Sequence, residues 1–148
     1  MASSRDRGET LIEVVLAVAI LGITVVAIMG GMVTTVLGSD IHRKQSVATT
    51  VLTGSAEVLK EPATTFEPCA TTTSAGYLAA VAAVNRPAGW PAPVITALTY
   101  WDGTAFQSTC YDTAALGRLL RLQQITLTVS SPDGRSVETL AVVKRDGA

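Results

Sequence analysis

The sequence predicts an α+β protein in which a long N-terminal helix packs on a small antiparallel β-sheet. Two observations predict it. Residues 14–39 form an apolar run without a formally charged side chain, and an amphipathic stretch continues it to Lys60. The last third of the chain instead shows alternating segments separated by the turn sequences Asp102-Gly103 and Ser131-Pro132-Asp133-Gly134. At 148 residues the chain has room for one modest domain beside the helix.

The apolar run is long enough to cross a bilayer, because a helix needs about 20 such residues to span the hydrocarbon core. Its only polar members are three threonines and Ser39. Glu13 directly precedes the run and follows the apolar pair Leu11 and Ile12. An ionisable group at that depth is costly in a membrane and usually has a function. We therefore expect a functional role for Glu13.

Segment 7–13, which reads Arg-Gly-Glu-Thr-Leu-Ile-Glu, resembles the class III signal of type IV pilins and pseudopilins. In that family a basic leader ends in Gly, a prepilin peptidase cuts directly after it, and the new N-terminus can be N-methylated. The resemblance implies a leader over 1–8 and cleavage between Gly8 and Glu9. Glu9 stands where the family usually has Phe. This difference affects N-methylation of the new N-terminus more than cleavage, which depends chiefly on Gly8.

The resemblance also implies a type IV pilin-like fold and a structural role. The chain would be a subunit of a pilus-like filament, as a minor pilin. Before assembly it would be a single-pass protein of the cytoplasmic membrane, and afterwards part of a cell-surface or periplasm-spanning filament. Its partners would be other pilin subunits, the prepilin peptidase, and a pilus or type II secretion assembly platform. Glu13 would pair with the new α-amino group of Glu9 on a neighbouring subunit, since burying either charge alone is costly.

Several alternatives stay open. The chain could be a type II secretion pseudopilin, or a membrane-anchored binding module that never polymerises. An ordinary secretory signal would be cut after residues 17–19 (Ala-Val-Ala), but Glu13 would interrupt its apolar core. A plain signal-anchor helix would explain the apolar run, but it would not explain the presence of Gly8 and Glu13 at this spacing.

Three glycines, Gly22, Gly30 and Gly31, interrupt the apolar run. Each costs a helix interior about 1 kcal/mol relative to alanine. Glycine is common in transmembrane helices because it allows close packing, which is one interpretation. The other is a segment that unwinds when the subunit passes from bilayer to filament. In the major pilins that the chain resembles, a proline stands near the position of Gly30. The helix of this chain is therefore expected to unwind less than theirs.

The predicted organisation has five parts: leader 1–8, membrane or filament-core half of the helix 9–39, amphipathic half 40–61, connecting loop 62–93, and sheet domain 94–148. The helix is expected from Thr10 to Lys60, with Glu61-Pro62 ending it. The connecting loop should contain a short helix over Tyr77–Val84, and Trp90 should pack on the domain. Strands are predicted over 94–101, 104–109, 122–130 and 136–144. The apolar side of the amphipathic half should cover one face of the sheet.

Cys69 and Cys110 both follow the apolar run. If the anchor exports the C-terminal part, they lie in an oxidising compartment and are expected to pair. Closing a loop of about 40 residues stabilises by roughly 3–4 kcal/mol in the chain-entropy model. The alternative is two buried free thiols.

The ionisable residues suggest neither an enzyme nor a nucleic-acid-binding protein. The formal net charge is −1, and a DNA-uptake pilin would need a basic patch for which only Arg118, Arg121 and Arg135 qualify. His42 stands beside Arg43 and Lys44. This arrangement indicates a solvated cluster of basic side chains, not a catalytic general base. Asp102 with Asp112, or Asp133 in its turn, could suggest calcium, but hairpin turns explain these residues. No catalytic residue, cofactor or metal is expected.

Overall fold

The computed structural model describes the backbone of residues 6–110 and 121–146, and the side chains of residues 11–110 and 121–146. Its elements, in chain order, are α1 (Asp6–Lys60), α2 (Ala75–Ala82), β1 (Val94–Trp101), β2 (Phe106–Gln107), β3 (Leu122–Ser130) and β4 (Val137–Arg145). The chain divides into two compact units, one up to Asp40 and one from Ile41 onward. The predicted α+β class is confirmed.

The N-terminal unit is the apolar part of α1. Every large hydrophobic side chain described in this part is exposed, from Leu11 to Leu37. By length and composition, the helix is long and apolar enough to cross a membrane. It is helical from Asp6, the first described residue, and so includes Gly8, whereas the sequence predicted a start at Thr10. Arg7 and Glu9, on either side of Gly8, are good helix formers, so this single glycine does not stop the helix.

The second unit is a four-stranded antiparallel sheet in the order β2-β1-β3-β4, with the C-terminal part of α1 and with α2 packed against it. β3 and β4 pair over nine residues without a shift, from Leu122 opposite Arg145 to Ser130 opposite Val137. Between Ile95 and Ala97 the register of β1 against β3 shifts. β1 and β3 have the predicted bounds, and β4 lies one residue later than predicted.

The core lies between one face of the sheet and α1. Along β3 every second residue is buried, as the sequence alternation predicted, and the buried set is Gln123, Ile125, Leu127 and Val129. Residues of α1 at three- and four-residue intervals cover them, with Ala48, Leu52, Ala56 and Leu59 in the same cluster. Trp90 packs against this core, which confirms the prediction made for it.

Two smaller elements differ from the sequence prediction. α2 begins at Ala75, two residues before the predicted start, because the distant Glu67 carboxylate accepts from the Gly76 N–H at 3.0 Å and satisfies a free donor of its first turn. β2 has only two residues instead of the predicted six. The reason is that Asp102 Oδ1 takes up the N–H groups of Thr104 and Ala105, at 2.7 and 2.8 Å.

Candidate functional site

The predicted processing and assembly residues all lie in the first turns of α1. Gly8 and Glu9 are part of the helix, but their side chains lie outside the described residues. Glu13 is exposed, as are its neighbours Ile12 and Val14. One helical turn, about 6 Å of rise, separates Glu9 from Glu13, so both lie on the same side of the helix.

Glu13 has no hydrogen bond or ion pair with any side chain among residues 11–110 and 121–146. Its carboxylate is one of the few polar groups on an otherwise apolar helix surface. In a membrane or a packed helix bundle such a carboxylate needs a partner, because an isolated buried charge is strongly unfavourable.

The predicted flexible segment is helical throughout. A Cβ atom built on Gly22, Gly30 or Gly31 would meet nothing within 4 Å, so packing inside this chain does not require any of the three glycines. The hydroxyls of Thr34 and Thr35 both donate to the carbonyl oxygen of Gly31 at 2.9 Å. Such bonds satisfy the hydroxyls without water, and they weaken the backbone hydrogen bond that this carbonyl makes within the helix.

The connecting loop is fastened by a disulfide. Cys69 and Cys110 are bonded, with their Cα atoms 5.4 Å apart, which confirms the pairing predicted from the sequence. The alternative of two free thiols is therefore wrong. Cys69 has a positive φ of 54°, an uncommon conformation for a residue with a side chain. The disulfide ties the loop after α1 to the segment that follows β2.

A buried polar network, which the sequence did not predict, holds the same loop on the sheet. Gln123 is 1% exposed, and its Nε2 donates to the Glu67 carbonyl at 2.7 Å. Its Oε1 accepts from the Tyr77 hydroxyl at 3.0 Å, and that hydroxyl accepts from the Glu67 N–H at 3.0 Å. Burial raises the pKa of Tyr77 above its usual value, so its hydroxyl stays protonated as a donor.

Lys144 is the second unpredicted polar group of the core. It is only 4% exposed, and its Nζ donates to the carbonyl oxygens of Leu59 at 2.5 Å and Thr64 at 2.7 Å. The ammonium also lies 5.9 Å from the centre of the Tyr77 ring. Leu59 belongs to the last turn of α1, where free carbonyl groups and the helix dipole favour a cation. Burial lowers the pKa of Lys144.

The aspartates that could have suggested calcium serve as turn residues. Asp102 caps the β1–β2 turn, and hydrogen bonds from the Ala105 and Thr104 N–H groups lower its pKa to about 2. Asp133 accepts from Lys44 Nζ at 2.7 Å, and this bond is the main cause of a pKa well below the usual carboxyl value. Asp112 lies outside the described residues. Within residues 11–110 and 121–146 no three metal-binding side chains come together.

The arginines required for a nucleic-acid patch are not brought together. Arg121 stands just before β3 and pairs with Asp146 at 3.3 Å, whereas Arg135 lies in the turn after β3. A nine-residue strand separates them by about 30 Å at 3.4 Å per residue. Arg118 lies outside the described residues. His42 and Arg43 are exposed, as expected of a solvated cluster.

Comparison with known proteins gives one match. Residues 3–29 match the family model described as the prokaryotic N-terminal methylation motif. No curated protein and no solved structure matches the chain. The motif covers segment 7–13 and the first half of the apolar run, and it is typical of type IV pilins and pseudopilins, which are structural proteins and not enzymes.

Proposed function

We propose that the chain, whose residues 3–29 match the N-terminal methylation motif, is a structural subunit, a minor pilin, of a type IV pilus-like filament. The observation that carries the proposal is the motif at residues 3–29, placed at the start of a fully exposed apolar helix. The compact second unit would be the exported, surface part of the subunit. A type II secretion pseudopilin would use the same motif and helix.

In this proposal the apolar part of α1 has two successive environments. In the membrane monomer, lipid covers the large hydrophobic side chains between Leu11 and Leu37. In the filament, the corresponding helices of neighbouring subunits cover them. Because both environments are apolar, the exchange involves little hydrophobic free energy, and polar contacts and packing decide whether a subunit adds.

The polar contact proposed for this step is that of Glu13. Cleavage between Gly8 and Glu9 would create an α-amino group at the start of the mature helix. The carboxylate of Glu13, which no described side chain of its own subunit occupies, would accept that amine from a neighbour. Each charge neutralises the other in a medium where either alone is costly, so the pair would set the axial position of the incoming subunit.

The three glycines would loosen the helix during the same step. Together they lower its intrinsic stability by about 3 kcal/mol relative to alanine. The threonine hydroxyls bonded to the Gly31 carbonyl provide a replacement partner if the backbone bond opens. We propose that residues 22–31 are the part of α1 that unwinds on assembly.

Mass spectrometry of sheared surface filaments and of membranes tests the proposed function. We expect this chain in the filament fraction, with an N-terminus at Glu9; the mass of the N-terminal peptide also shows whether Glu9 carries a methyl group. Replacing Gly8 with leucine should leave the whole precursor in the membrane, and Ala2→Leu in the same leader is the matched control that should be processed normally.

A start at Ile20 would instead show an ordinary secretory signal and would refute the proposal. Correct processing without any chain in a filament fraction would favour the membrane-anchored module. Filaments confined to the periplasm and lost with a secretion machine would favour the pseudopilin.

A further inference from the structure

β4 is the last strand of the sheet, and one of its edges has no neighbouring strand among the described residues. At one end of the β3–β4 ladder the Ser131 N–H donates to the Ser136 carbonyl at 2.8 Å. At the other end the Asp146 N–H donates to the Arg121 carbonyl at 3.1 Å. Even-numbered residues of β4 therefore bond to β3, since the peptide groups of an antiparallel strand point alternately to its two sides. The odd-numbered residues direct theirs to the open edge: Val137, Thr139, Ala141, Val143 and Arg145.

The open edge of β4 is accessible. All five odd-numbered residues are exposed, and no backbone group among the described residues bonds to their N–H or carbonyl groups. The middle of the strand, residues 139–143, contains neither a charged side chain nor a proline. Proteins commonly protect an edge strand with such residues, because its unpaired peptide groups bind other strands. The middle of this edge is therefore suited to pair with a further strand.

Two charged side chains lie on the side of β4 that α1 covers. Glu138, which pairs with the buried Val129, is half-buried, and no described side chain bonds to its carboxylate. Lys144 uses two of the three N–H donors of its ammonium for the carbonyl groups described above. Six residues of extended strand, about 20 Å, separate Glu138 from Lys144, so the two cannot meet within one chain.

A second copy of β4 brings these two charges together. Opposed residues of an antiparallel pair lie on the same face, so only registers that match the faces are possible. With Ala141 opposite the same residue of the second copy, all nine residues overlap, and Glu138 of each copy lies opposite Lys144 of the other. A shift of two residues in one direction places Lys144 opposite Leu140. The same shift in the other direction places Glu138 opposite Val142.

The register centred on Ala141 also satisfies the open edge. The five odd-numbered residues of the two copies would form five pairs that exchange about ten hydrogen bonds. On the covered side Leu140 would lie opposite Val142. Arg145, the only other charged residue of β4, would lie opposite Val137 on the exposed face, where it stays in contact with water.

We propose that two copies of this chain pair along β4, antiparallel and centred on Ala141, so that two four-stranded sheets become one. A two-fold contact closes with two copies and does not itself extend a filament, so it differs from the subunit contacts of the proposed function. It involves the second unit alone and requires neither a membrane span nor Glu13.

Disulfide cross-linking of the full chain in detergent tests the position of the contact. Ala141→Cys should give a covalent dimer on mild oxidation, because the Cβ atoms of opposed residues lie about 5 Å apart. The matched control is Ala97→Cys, since Ala97 is an exposed alanine on the same face of the sheet, two strands from the edge. Five strand spacings, about 24 Å, would separate its two copies, so the control should remain monomeric on a denaturing gel.

Charge reversal tests the register. Glu138→Lys places a lysine opposite Lys144 at two symmetric positions, so analytical ultracentrifugation should show association weakened about ten-fold or more. Glu57→Lys makes the same change at an exposed position of α1 and should associate as the wild type does. Circular dichroism checks that both variants fold.

The outcomes separate this inference from the proposed function. Equal cross-linking of both cysteine variants, or of neither, would overturn the pairing along β4. Association of Glu138→Lys at the wild-type level would show that any contact between copies lies elsewhere, for example along the apolar helices, and would refute the register. Neither result would affect the proposed function, because cleavage after Gly8 and recovery in filaments do not depend on the edge of β4.

Discussion

Replacing Glu13 with valine should prevent assembly and leave membrane insertion intact. The apolar side chain suits a bilayer better than a carboxylate, so insertion and processing should proceed at least as well as in the wild type. In the filament, however, the neighbour's α-amino group would be buried without a partner. Breaking a buried ion pair in this way costs about 3–5 kcal/mol. At about 1.4 kcal/mol for each factor of ten, the equilibrium for subunit addition should fall roughly 100- to 3,000-fold.

The assay is the ratio of this chain in sheared filaments to processed chain in membranes, measured by quantitative immunoblotting. The matched control exchanges two adjacent residues, Glu13→Val with Val14→Glu, which keeps composition, charge and hydropathy unchanged. The exchange moves the carboxylate about 100° around the helix, because each residue turns a helix by that angle. We expect this variant to fail as well, since the proposed pair depends on position. If Glu13→Val enters filaments at the wild-type level, the role assigned to Glu13 is refuted. If only the exchanged variant enters filaments, a carboxylate is needed but its exact position on the helix is not.

Three further predictions concern the second unit. Replacing Cys69 and Cys110 with serine should lower the free energy of unfolding of the second unit by about 3–4 kcal/mol, measured by urea denaturation; an unchanged midpoint would contradict it. Lys144→Met keeps the length of the side chain but removes the donor from the buried Leu59 carbonyl and the partly buried Thr64 carbonyl. Thermal unfolding should therefore show a loss of about 2–5 kcal/mol, whereas Arg145→Met should be nearly neutral. Asp133 has a folded-state pKa below its usual value, so its contribution to the free energy of unfolding is fully present above pH 3.8 and is lost as the pH falls further. The unfolding midpoints of the wild type and Asp133→Asn should therefore differ at neutral pH and converge in acid. A difference that stays constant with pH would exclude the Lys44 ion pair as its cause.

The sequence was sufficient for the elements whose pattern is set by burial. β3 alternates apolar and polar side chains, and one side of it must face a core, so its bounds and its buried face could both be predicted. The end of α1 was equally clear, because the residue before Pro62 avoids the helical conformation. The methylation motif at residues 3–29 likewise depends on local sequence alone.

Elements fixed by distant partners could not be predicted in the same way. The start of α2 depends on a carboxylate nine residues before the amide that it binds. The shortness of β2 depends on one aspartate side chain that competes with the strand for backbone N–H groups. Both are side-chain hydrogen bonds to the backbone, which local propensity does not reveal.

The sequence places polar residues on the covered side of the sheet, but it does not reveal their hydrogen-bond partners. Alternation along β3 and β4 places Gln123 and Lys144 on the covered side, where apolar residues are expected. A polar residue at such a position indicates a buried partner, but the partners are the backbone of Glu67, Leu59 and Thr64, far away in the chain. Only the fold brings them within reach.

The bond between Lys144 and the end of α1 determines when the second unit can complete its folding during synthesis. Its two ends are 85 residues apart, so α1 is synthesised long before β4, the strand that supplies Lys144. Until β4 arrives, β3 presents an open edge and one side of the core is uncovered. The second unit becomes compact only when synthesis has reached this strand. If the chain is exported as proposed, incomplete chains would be open to proteases and would not enter a filament.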